Sequence, residues 1–160
     1  MDEQAKKVAL RKLTYGLYVV TAIADGEVAA GTVSWLSQAS FNPPLIMAGI
    51  KADSHLHARI AQSGAFAVSV IGEEQKEMAR AFFRASEIVG DRIGGYAFDP
   101  GPETGAPVLL DAPVWFEARI RHTYAEGDHT VCIAEVVSAG VHDADASPLV
   151  LGNTGWSYGG

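Results

Sequence analysis

Two runs of β-branched and aromatic residues near the start of the chain are separated only by a dipeptide that favours a tight turn. The first run, LYVVTAIA, starts at Leu17 and ends at Asp25-Gly26. Val, Ile, Thr and Tyr fit the pleated surface of a strand, and Asp-Gly is among the strongest signals for a two-residue hairpin. The next strand, from Val28 to about Ser40, is therefore predicted to be the antiparallel neighbour of the first.

The later strands are also predicted to have antiparallel neighbours. LIMAGI, after the stop at Asn42-Pro43-Pro44, is predicted to be a strand buried on both faces, and AFAVSVI returns to strand. PVWFEARIRHTYAE and HTVCIAEVVSAGV are predicted to form a second hairpin around residues 126–128, and PLVLG to form a last short strand. A doubly wound parallel sheet needs a helix between each pair of strands, and this pattern lacks them.

Three short helices are predicted among these strands. Residues 2–12 form an amphipathic segment whose apolar side is expected to face the body. SHLHARIAQSG has Ser54 as N-cap and Gly64 as terminator, and a third helix is predicted from Glu73. Residues 88–107 are predicted to form a long loop. Because strands outnumber helices, we expect one mainly β domain over residues 1–160, a closed or nearly closed antiparallel barrel with a few helices.

Charge and cysteine content exclude several classes of protein. The formal net charge of −7 provides no clustered Lys and Arg for a nucleic-acid-binding surface. The single cysteine, Cys132, forms neither an intramolecular disulfide nor a thiolate metal cage, so no metal is expected. The N-terminus lacks the apolar core of a secretory signal, and no run approaches the roughly 18 apolar residues of a membrane span. A cytoplasmic protein without nucleic-acid or membrane partners is the expectation.

The stretch GTVSWLSQASFNPP, residues 31–44, places polar residues throughout a predicted strand. One interpretation is a solvated face. The other is a face that lines a cleft, where hydroxyls and backbone groups form hydrogen bonds with the carbonyls and nitrogens of a planar heterocycle. The rigid exit at Pro43-Pro44 weakens the first interpretation, because a solvated strand has no need of a precisely held end.

The segment KADSHLHARI places Lys51 just before a helix that Ser54 caps. A helix N-terminus offers free amides and the positive end of a dipole, so this segment is either an anion cradle or an ordinary capped helix. His55 and His57 are two residues apart on the helix and make a poor metal pair. The chain has no glycine-rich dinucleotide fingerprint and no P-loop, so a nucleotide would have to be held in another way.

The GDH sequence, Gly127 to His129, falls in the turn of the second hairpin. Gly and Asp are ordinary turn residues, but at a barrel rim His129 could also meet the edge of a ligand. Trp156 and Tyr158, near the end of the chain, either cover a flat ligand or pack on the body or a partner chain. These residues are candidates from the pattern alone.

Five segments are similar, in the same order, to a known family: TYGLYVVTA, SWLSQASFNPPLIMAGI, FAVSVI, GAPVLLDAPVWFEARI and the GDH turn. From about Leu10 to Tyr158 the chain resembles the flavin reductase-like family of FMN-binding split barrels. It is most similar to the flavoredoxin-like members and to the flavin reductase module of flavodiiron proteins. The resemblance implies a Greek-key antiparallel barrel of about six strands, and a homodimer with FMN near the subunit interface.

The resemblance also implies roles for individual residues. His129 is the one candidate catalytic residue, expected to contact the reduced nicotinamide. Residues 32–37 are expected along the isoalloxazine, residues 39–41 near the ribityl chain and phosphate, and Lys51, Ser54 and His55 at the phosphate. The candidate cofactor-binding residues are Thr32, Val33, Ser34, Trp35, Leu36, Ser37, Ala39, Ser40, Phe41, Lys51, Ser54 and His55. Trp35 is bulkier than the small residue common in the reductases of diffusible flavin, so it could stack on the flavin or restrict it.

The implied function is that of an oxidoreductase that binds FMN in preference to FAD. It takes a hydride from NADH or NADPH at flavin N5, and passes electrons to free flavin, a protein or a metal complex. One alternative is a flavin-binding electron carrier with little NAD(P)H activity of its own, and another is a haem-binding barrel. No acidic or basic selector indicates which nicotinamide nucleotide is used.

Overall fold

The computed structural model describes residues 1–160 and consists mainly of antiparallel strands. The α-helices are α1 (Glu3–Leu10), α2 (His55–Ser63) and α3 (Lys76–Ala81). The strands are β1 (Tyr18–Ala24), β2 (Glu27–Val33), β3 (Leu36–Ser40), β4 (Leu45–Lys51), β5 (Ala65–Val70), β6 (Ile88–Val89), β7 (Arg92–Ile93), β8 (Tyr96–Pro100), β9 (Pro107–Leu109), β10 (Val114–Tyr124) and β11 (His129–Val141). A 3₁₀-helix, Leu151–Asn153, follows the last strand.

Seven strands form the main sheet, in the order β2-β1-β5-β10-β11-β4-β3. Every neighbouring pair is antiparallel. β4 and β5 are consecutive in the chain, yet β10 and β11 lie between them, which is a Greek-key type of connection. The mainly β antiparallel fold is thus confirmed, with seven strands in the main sheet where about six were expected.

The two edges of the main sheet belong to strands that are consecutive in the chain, β2 and β3. Val33 of β2 nevertheless shares one buried cluster with Ile46 and Ala48 of β4, and Leu36 of β3 packs against that cluster. The sheet therefore wraps around a common core while its edges make no ladder with each other. We call the line between β2 and β3 the seam.

Both predicted hairpins are present. Asp25 and Gly26 adopt φ angles of 52° and 77°, as a type I′ turn requires at both central positions, and Ala24 pairs with Glu27 across them. β10 and β11 form the longer hairpin, with register shifts at two points. The turn of this hairpin, which contains the GDH sequence, lies against the end of β4, because His129 pairs with Lys51.

One predicted strand is two strands in the structure. Residues 28–40 were expected to form one strand, whereas β2 ends before Ser34 and β3 begins after Trp35. The N–H of Gly49 donates to the carbonyl oxygen of Trp35 at 2.8 Å, so the backbone of Trp35 is hydrogen-bonded to β4. At this point the chain leaves one edge of the main sheet and joins the other.

Three other segments differ from the prediction. Residues 88–107, expected to form a loop, hold most of a second sheet with the order β6-β7-β8-β9. PLVLG makes only isolated bridges through Pro148 and Val150 instead of a strand. The third helix begins at Lys76 and not at Glu73. Strands of two to five residues are too short to leave a periodic signal.

The core lies on one side of β4 and not on both. Ile46 and Ala48 of β4 are buried, but Met47 between them is 43% exposed, so the prediction of a strand buried on both faces was wrong. Helix α1 buries no residue, which also contradicts the expected apolar contact with the body. Helix α2 does pack on the sheet, through Leu56 and Ile60. None of the helices has the length and apolar composition that crossing a membrane requires.

Candidate functional site

A cleft of about 630 Å³ lies beside the seam. Small-molecule sites have volumes of roughly 300–1,000 Å³. Most of the lining comes from four segments: residues 30–35 at the end of β2, residues 49–56 except Ala52 at the end of β4 and the start of α2, residues 82–85 after α3, and residues 156–158. Leu17 and Leu151 complete the lining. Since these segments are distant in sequence, the fold itself creates the cleft.

The structure brings part of the predicted cofactor site together. The predicted residues that line the cleft are Thr32, Val33, Ser34, Trp35, Lys51, Ser54 and His55. The predicted residues that do not line it belong to β3 and the turn after it, and they are Leu36, Ser37, Ala39, Ser40 and Phe41. Phe41 is 90% exposed, and the Ser37 hydroxyl donates to the Gln38 carbonyl oxygen at 3.1 Å. The expected contact of residues 39–41 with a ribityl chain stays a prediction.

Thr32 shapes one wall of the cleft. Its hydroxyl donates to the carbonyl oxygen of Ala79 at 2.7 Å, and its backbone N–H donates to the carbonyl oxygen of Phe82 at 3.2 Å. Both bonds tie the end of β2 to α3 and the residues after it. The hydroxyl of Thr32 thus serves to hold the wall, because its proton is already committed to Ala79.

The turn from β4 into α2 forms a polar end of the cleft. Ser54 caps α2 by accepting from the N–H of His57 at 3.0 Å, and its hydroxyl donates to the carbonyl oxygen of Lys51 at 2.7 Å. Lys51 Nζ lies 3.2 Å from an oxygen of Asp53, and both side chains are largely exposed. The first amides of a helix have no partner within the helix. This end of the cleft therefore suits an anion.

Trp35, His129 and Tyr158 form an aromatic cluster at the seam. The Trp35 ring centroid lies 4.4 Å from that of His129 and 5.2 Å from that of Tyr158. His129, whose side chain is 13% exposed, is not itself among the lining residues, but it contacts Trp35 and Tyr158, which line the cleft. The indole Nε1 of Trp35 is buried and has no hydrogen-bond partner. An acceptor on a ligand would satisfy this N–H.

Both ring nitrogens of His129 are occupied. Nδ1 lies 2.8 Å from Oδ1 of Asp128, and Nε2 lies 2.7 Å from the hydroxyl oxygen of Tyr158. Because a carboxylate only accepts hydrogen bonds, Nδ1 carries the proton in the neutral ring, and Nε2 accepts from Tyr158. The side chain of Asp128 thus sets which nitrogen of His129 is the acceptor.

The protonation of the two neighbours agrees with this arrangement. The hydrogen bond from His129 lowers the pKa of Asp128, and the nearby charge of Lys51 acts in the same direction. Burial raises the pKa of Tyr158, and the carboxylates of Asp128 and Asp53 raise it further against the opposing effect of Lys51. At neutral pH, Asp128 is a carboxylate and Tyr158 is a neutral phenol that can donate.

The cleft also contains residues that the sequence did not single out as binding residues. Phe83 and Arg84 follow α3 and line the cleft beside Trp156. The rings of Phe83 and Trp156 meet edge to face with centroids 4.8 Å apart, and the Nζ of Lys76 lies 4.8 Å from the centroid of Trp156. Phe83 and Arg84 belonged to a predicted helix, where nothing in the local pattern distinguishes a cleft residue from a surface one.

The residues present fit a flavin. Trp35, Trp156 and Tyr158 provide aromatic surfaces for a planar ring system, and the unpartnered Nε1 of Trp35 can donate to a ring carbonyl oxygen. Lys51 and the N-terminus of α2 provide positive charge for a phosphate. No group of three or more His, Cys, Asp or Glu side chains is placed to hold a metal ion.

Comparisons with known proteins point in the same direction. A family model described as "Flavin reductase like domain" matches residues 10–159. The NADH-dependent flavin reductase StyB of Pseudomonas fluorescens is 34% identical over 152 residues, which are 94% of this chain and 86% of that protein. The NADH:riboflavin 5'-phosphate oxidoreductase of Streptomyces pristinaespiralis is 31% identical over 92% of this chain and 82% of that protein.

A solved structure is similar to the whole fold. It is the NADH:FAD oxidoreductase SgcE6 of Streptomyces globisporus C-1027 in complex with NAD and FAD fragments. Its TM-score is 0.79 at 28% sequence identity, and the match covers 92% of this chain and 86% of that one. The likeness therefore extends over most of the chain.

Proposed function

The chain belongs to the family of flavin reductase like domains, and from this we propose that it is an NADH-dependent flavin reductase. In the proposed reaction NADH and a proton reduce FMN or FAD to the dihydroflavin, and NAD⁺ is released. The relatives named above are NADH-dependent and act on flavin, FMN or FAD. Reduced flavin is then the product that another molecule consumes.

The observation that carries this proposal is the position of His129 at the junction of the aromatic cluster and the anion-binding end. The backbone N–H of Ala52 donates to the carbonyl oxygen of Asp128 at 2.9 Å, which fixes the GDH turn to the turn before α2. A ligand with an anionic group near Lys51 and a flat ring near Trp35 would thus bring its ring to His129. A flavin nucleotide has this combination of groups.

Each side chain has a binding task in this proposal. When bound, flavin supplies the chemistry, since its N5 accepts the hydride of NADH. The Nε2 of His129 accepts a hydrogen bond from the carboxamide of the nicotinamide and orients that ring. Trp35 packs against the flavin ring, and Lys51 with the N-terminus of α2 binds the phosphate. Hydride transfer requires close approach and alignment, so orientation is what the protein contributes.

We also propose a homodimer in the cytoplasm. Met47 and Val131 lie on the same face of β4 and β11 and are 43% and 38% exposed, although both are apolar. An apolar strand surface of this kind is typical of a subunit interface. The free thiol of Cys132 is compatible with a reducing compartment.

An anaerobic titration tests the proposed function. The purified protein is mixed with FMN, and the flavin absorbance is followed after NADH is added, with FAD and NADPH in parallel. We expect rapid bleaching with NADH, and a much slower reaction in the His129→Ala variant. His122→Ala serves as the matched control, because His122 is an exposed residue of β10 outside the cleft. Flavin absorbance that persists in the native protein would instead support an electron carrier.

A further inference from the structure

Residues 154–160, which we call the strap, run along the cleft. Trp156, Ser157 and Tyr158 line the cleft, and beyond them the carbonyl oxygen of Gly159 accepts a hydrogen bond from Nε of Arg11 at 3.3 Å. The strap thus runs from the 3₁₀-helix, over the cleft, to the residue that follows α1. Any ligand in the cleft has to share this space with the strap.

The strap is held firmly at its start. The hydroxyl of Thr154 donates to the carbonyl oxygen of Leu151 at 2.7 Å and accepts from the N–H of Trp156 at 3.0 Å. Nζ of Lys76 donates to the carbonyl oxygen of Thr154 at 2.5 Å. Thr154 is buried, whereas Tyr158 is 44% exposed. The start of the strap therefore belongs to the body of the protein, and the part around Tyr158 is more weakly held.

The Tyr158 hydroxyl is hydrogen-bonded to Nε2 of His129, the atom that the proposed function assigns to the nicotinamide. Nδ1 of His129 is bonded to Asp128, so Nε2 is the one nitrogen left for a ligand, and the Tyr158 hydroxyl lies 2.7 Å from it. The tyrosine hydroxyl and a carboxamide –NH₂ are both donors. An acceptor with a single lone pair cannot take both, so the two exclude each other.

The strap also covers Trp35. A Cβ built on Gly159 would lie 2.9 Å from Cζ2 of Trp35, so the strap backbone rests directly on the indole. In this arrangement Nε1 of Trp35 remains buried without a partner. An unpaired buried N–H costs free energy, so the closed strap leaves a donor that a ligand could satisfy once the strap moves.

We propose that Tyr158 is an internal competitor of the reduced nicotinamide, and that its contact with His129 sets the affinity for NADH. This inference rests on the proposed function, because it takes His129 as the nicotinamide contact. NADH binds only when Tyr158 has left Nε2, so the apparent dissociation constant equals the intrinsic one divided by the fraction of molecules in which the contact is open. Flavin binding does not use Nε2, so the contact affects the affinity for flavin less than the affinity for NADH.

The variant Tyr158→Phe tests this, because it keeps the ring on Trp35 and removes only the hydroxyl. We expect the KM for NADH and the dissociation constant of NADH, measured by calorimetry, to fall by about fivefold, the equivalent of one hydrogen bond of about 1 kcal/mol. The dissociation constant of FMN should change by less than that of NADH. Tyr124→Phe is the matched control, since Tyr124 is an exposed tyrosine outside the cleft. In a His129→Ala background, the additional Tyr158→Phe change should have no effect.

The outcomes separate this inference from the proposed function. If the native protein reduces flavin with NADH, and Tyr158→Phe raises the KM for NADH or leaves it unchanged, Tyr158 is a substrate contact or a bystander, and only this inference fails. If the native protein does not oxidise NADH in the presence of flavin, the proposed function fails. Calorimetry still tests the role of Tyr158 in that case. If the native protein and Tyr158→Phe bind NADH equally well, or if neither binds it, the proposed competition is wrong.

Discussion

Nδ1 of His129 lies 2.8 Å from Oδ1 of Asp128, its immediate neighbour in the chain. Two consecutive turn residues thus form an acid–imidazole pair without help from a distant element. The side chain of Asp128 is 92% exposed while that of His129 is 13% exposed, so the carboxylate stays in water and the ring turns inward. The GDH turn therefore presents an oriented imidazole to Trp35 and Tyr158, which line the cleft.

Asp128 should stabilise the protein only above acidic pH. Its pKa is lowered from 3.8 in the folded state, so its contribution is present above that value and is lost as the pH falls through the lower folded pKa. We expect Asp128→Asn to lower the melting temperature at pH 6, and the difference from the native protein to shrink at a pH well below 3.8. Asp99→Asn, an exposed change away from the cleft, should show no such trend, and a constant difference for Asp128→Asn would contradict the assignment.

Trp35 should contribute directly to flavin affinity. Stacking of an aromatic side chain on a base is worth roughly 1–3 kcal/mol, so Trp35→Ala should raise the dissociation constant of FMN by about tenfold or more, and Trp35→Phe should recover part of the loss. Equilibrium dialysis with FMN measures this. Trp115→Phe, a change outside the cleft, is the control. Tighter binding by Trp35→Ala would mean that the indole restricts the flavin instead of holding it.

Lys51 should discriminate between flavins by their phosphate. Riboflavin lacks the phosphate of FMN, so Lys51→Ala should weaken FMN and leave riboflavin nearly unchanged. An exposed ion pair contributes about 1 kcal/mol at most, which predicts up to about a fivefold rise in the dissociation constant of FMN. Lys12→Ala is the matched removal of an exposed positive charge. An equal loss for the two flavins would place Lys51 against the ring system.

Glu117 should be important for stability although it is far from the proposed chemistry. Its carboxylate is fully buried and accepts hydrogen bonds from the N–H of Glu103 at 3.1 Å and from the N–H and hydroxyl of Thr104 at 2.7 Å. Glu117→Ala should cost about 2–3 kcal/mol of unfolding free energy, because these donors lose a charged acceptor. Glu103→Ala, which removes a half-exposed side chain, should cost less than about 1 kcal/mol in the same urea titration.

Cys132 should be unreactive in the folded protein. Cys132 is a residue of β11, which lies between β10 and β4, and its side chain is buried. Burial raises the pKa of its thiol, so little thiolate is present at neutral pH. A thiol reagent such as DTNB should modify it slowly in buffer and rapidly in urea. Fast modification of the native protein would show that β11 opens locally.

Local signals predicted the strands well and the seam poorly. Asp25-Gly26 specifies its own turn, because the pair tolerates positive φ at both positions. The break at Ser34-Trp35 has no such signal, since its residues are as compatible with a strand as their neighbours are. It arises because β4 takes the backbone of Trp35 through Gly49, a contact that only the assembled sheet creates.

The site was predictable where its residues are close in sequence. Lys51 and Ser54 belong to one turn, and the helix cap that joins them is readable from the residue types. The contact of His129 with Tyr158 spans 29 residues, and that of Arg11 with Gly159 spans 148. Periodicity describes single elements, so it does not reveal which distant segments will cover a cleft.

The seam separates positions where a substitution disturbs strand pairing from positions where it does not. Residues on the paired strands must preserve a ladder, because a change there disturbs two neighbours at once. Ser34 and Trp35 lie between the last residue of β2 and the first of β3, so changes of their side chains disturb no ladder pair. A library of variants restricted to these two positions is therefore the most economical way to redirect this barrel toward other planar molecules.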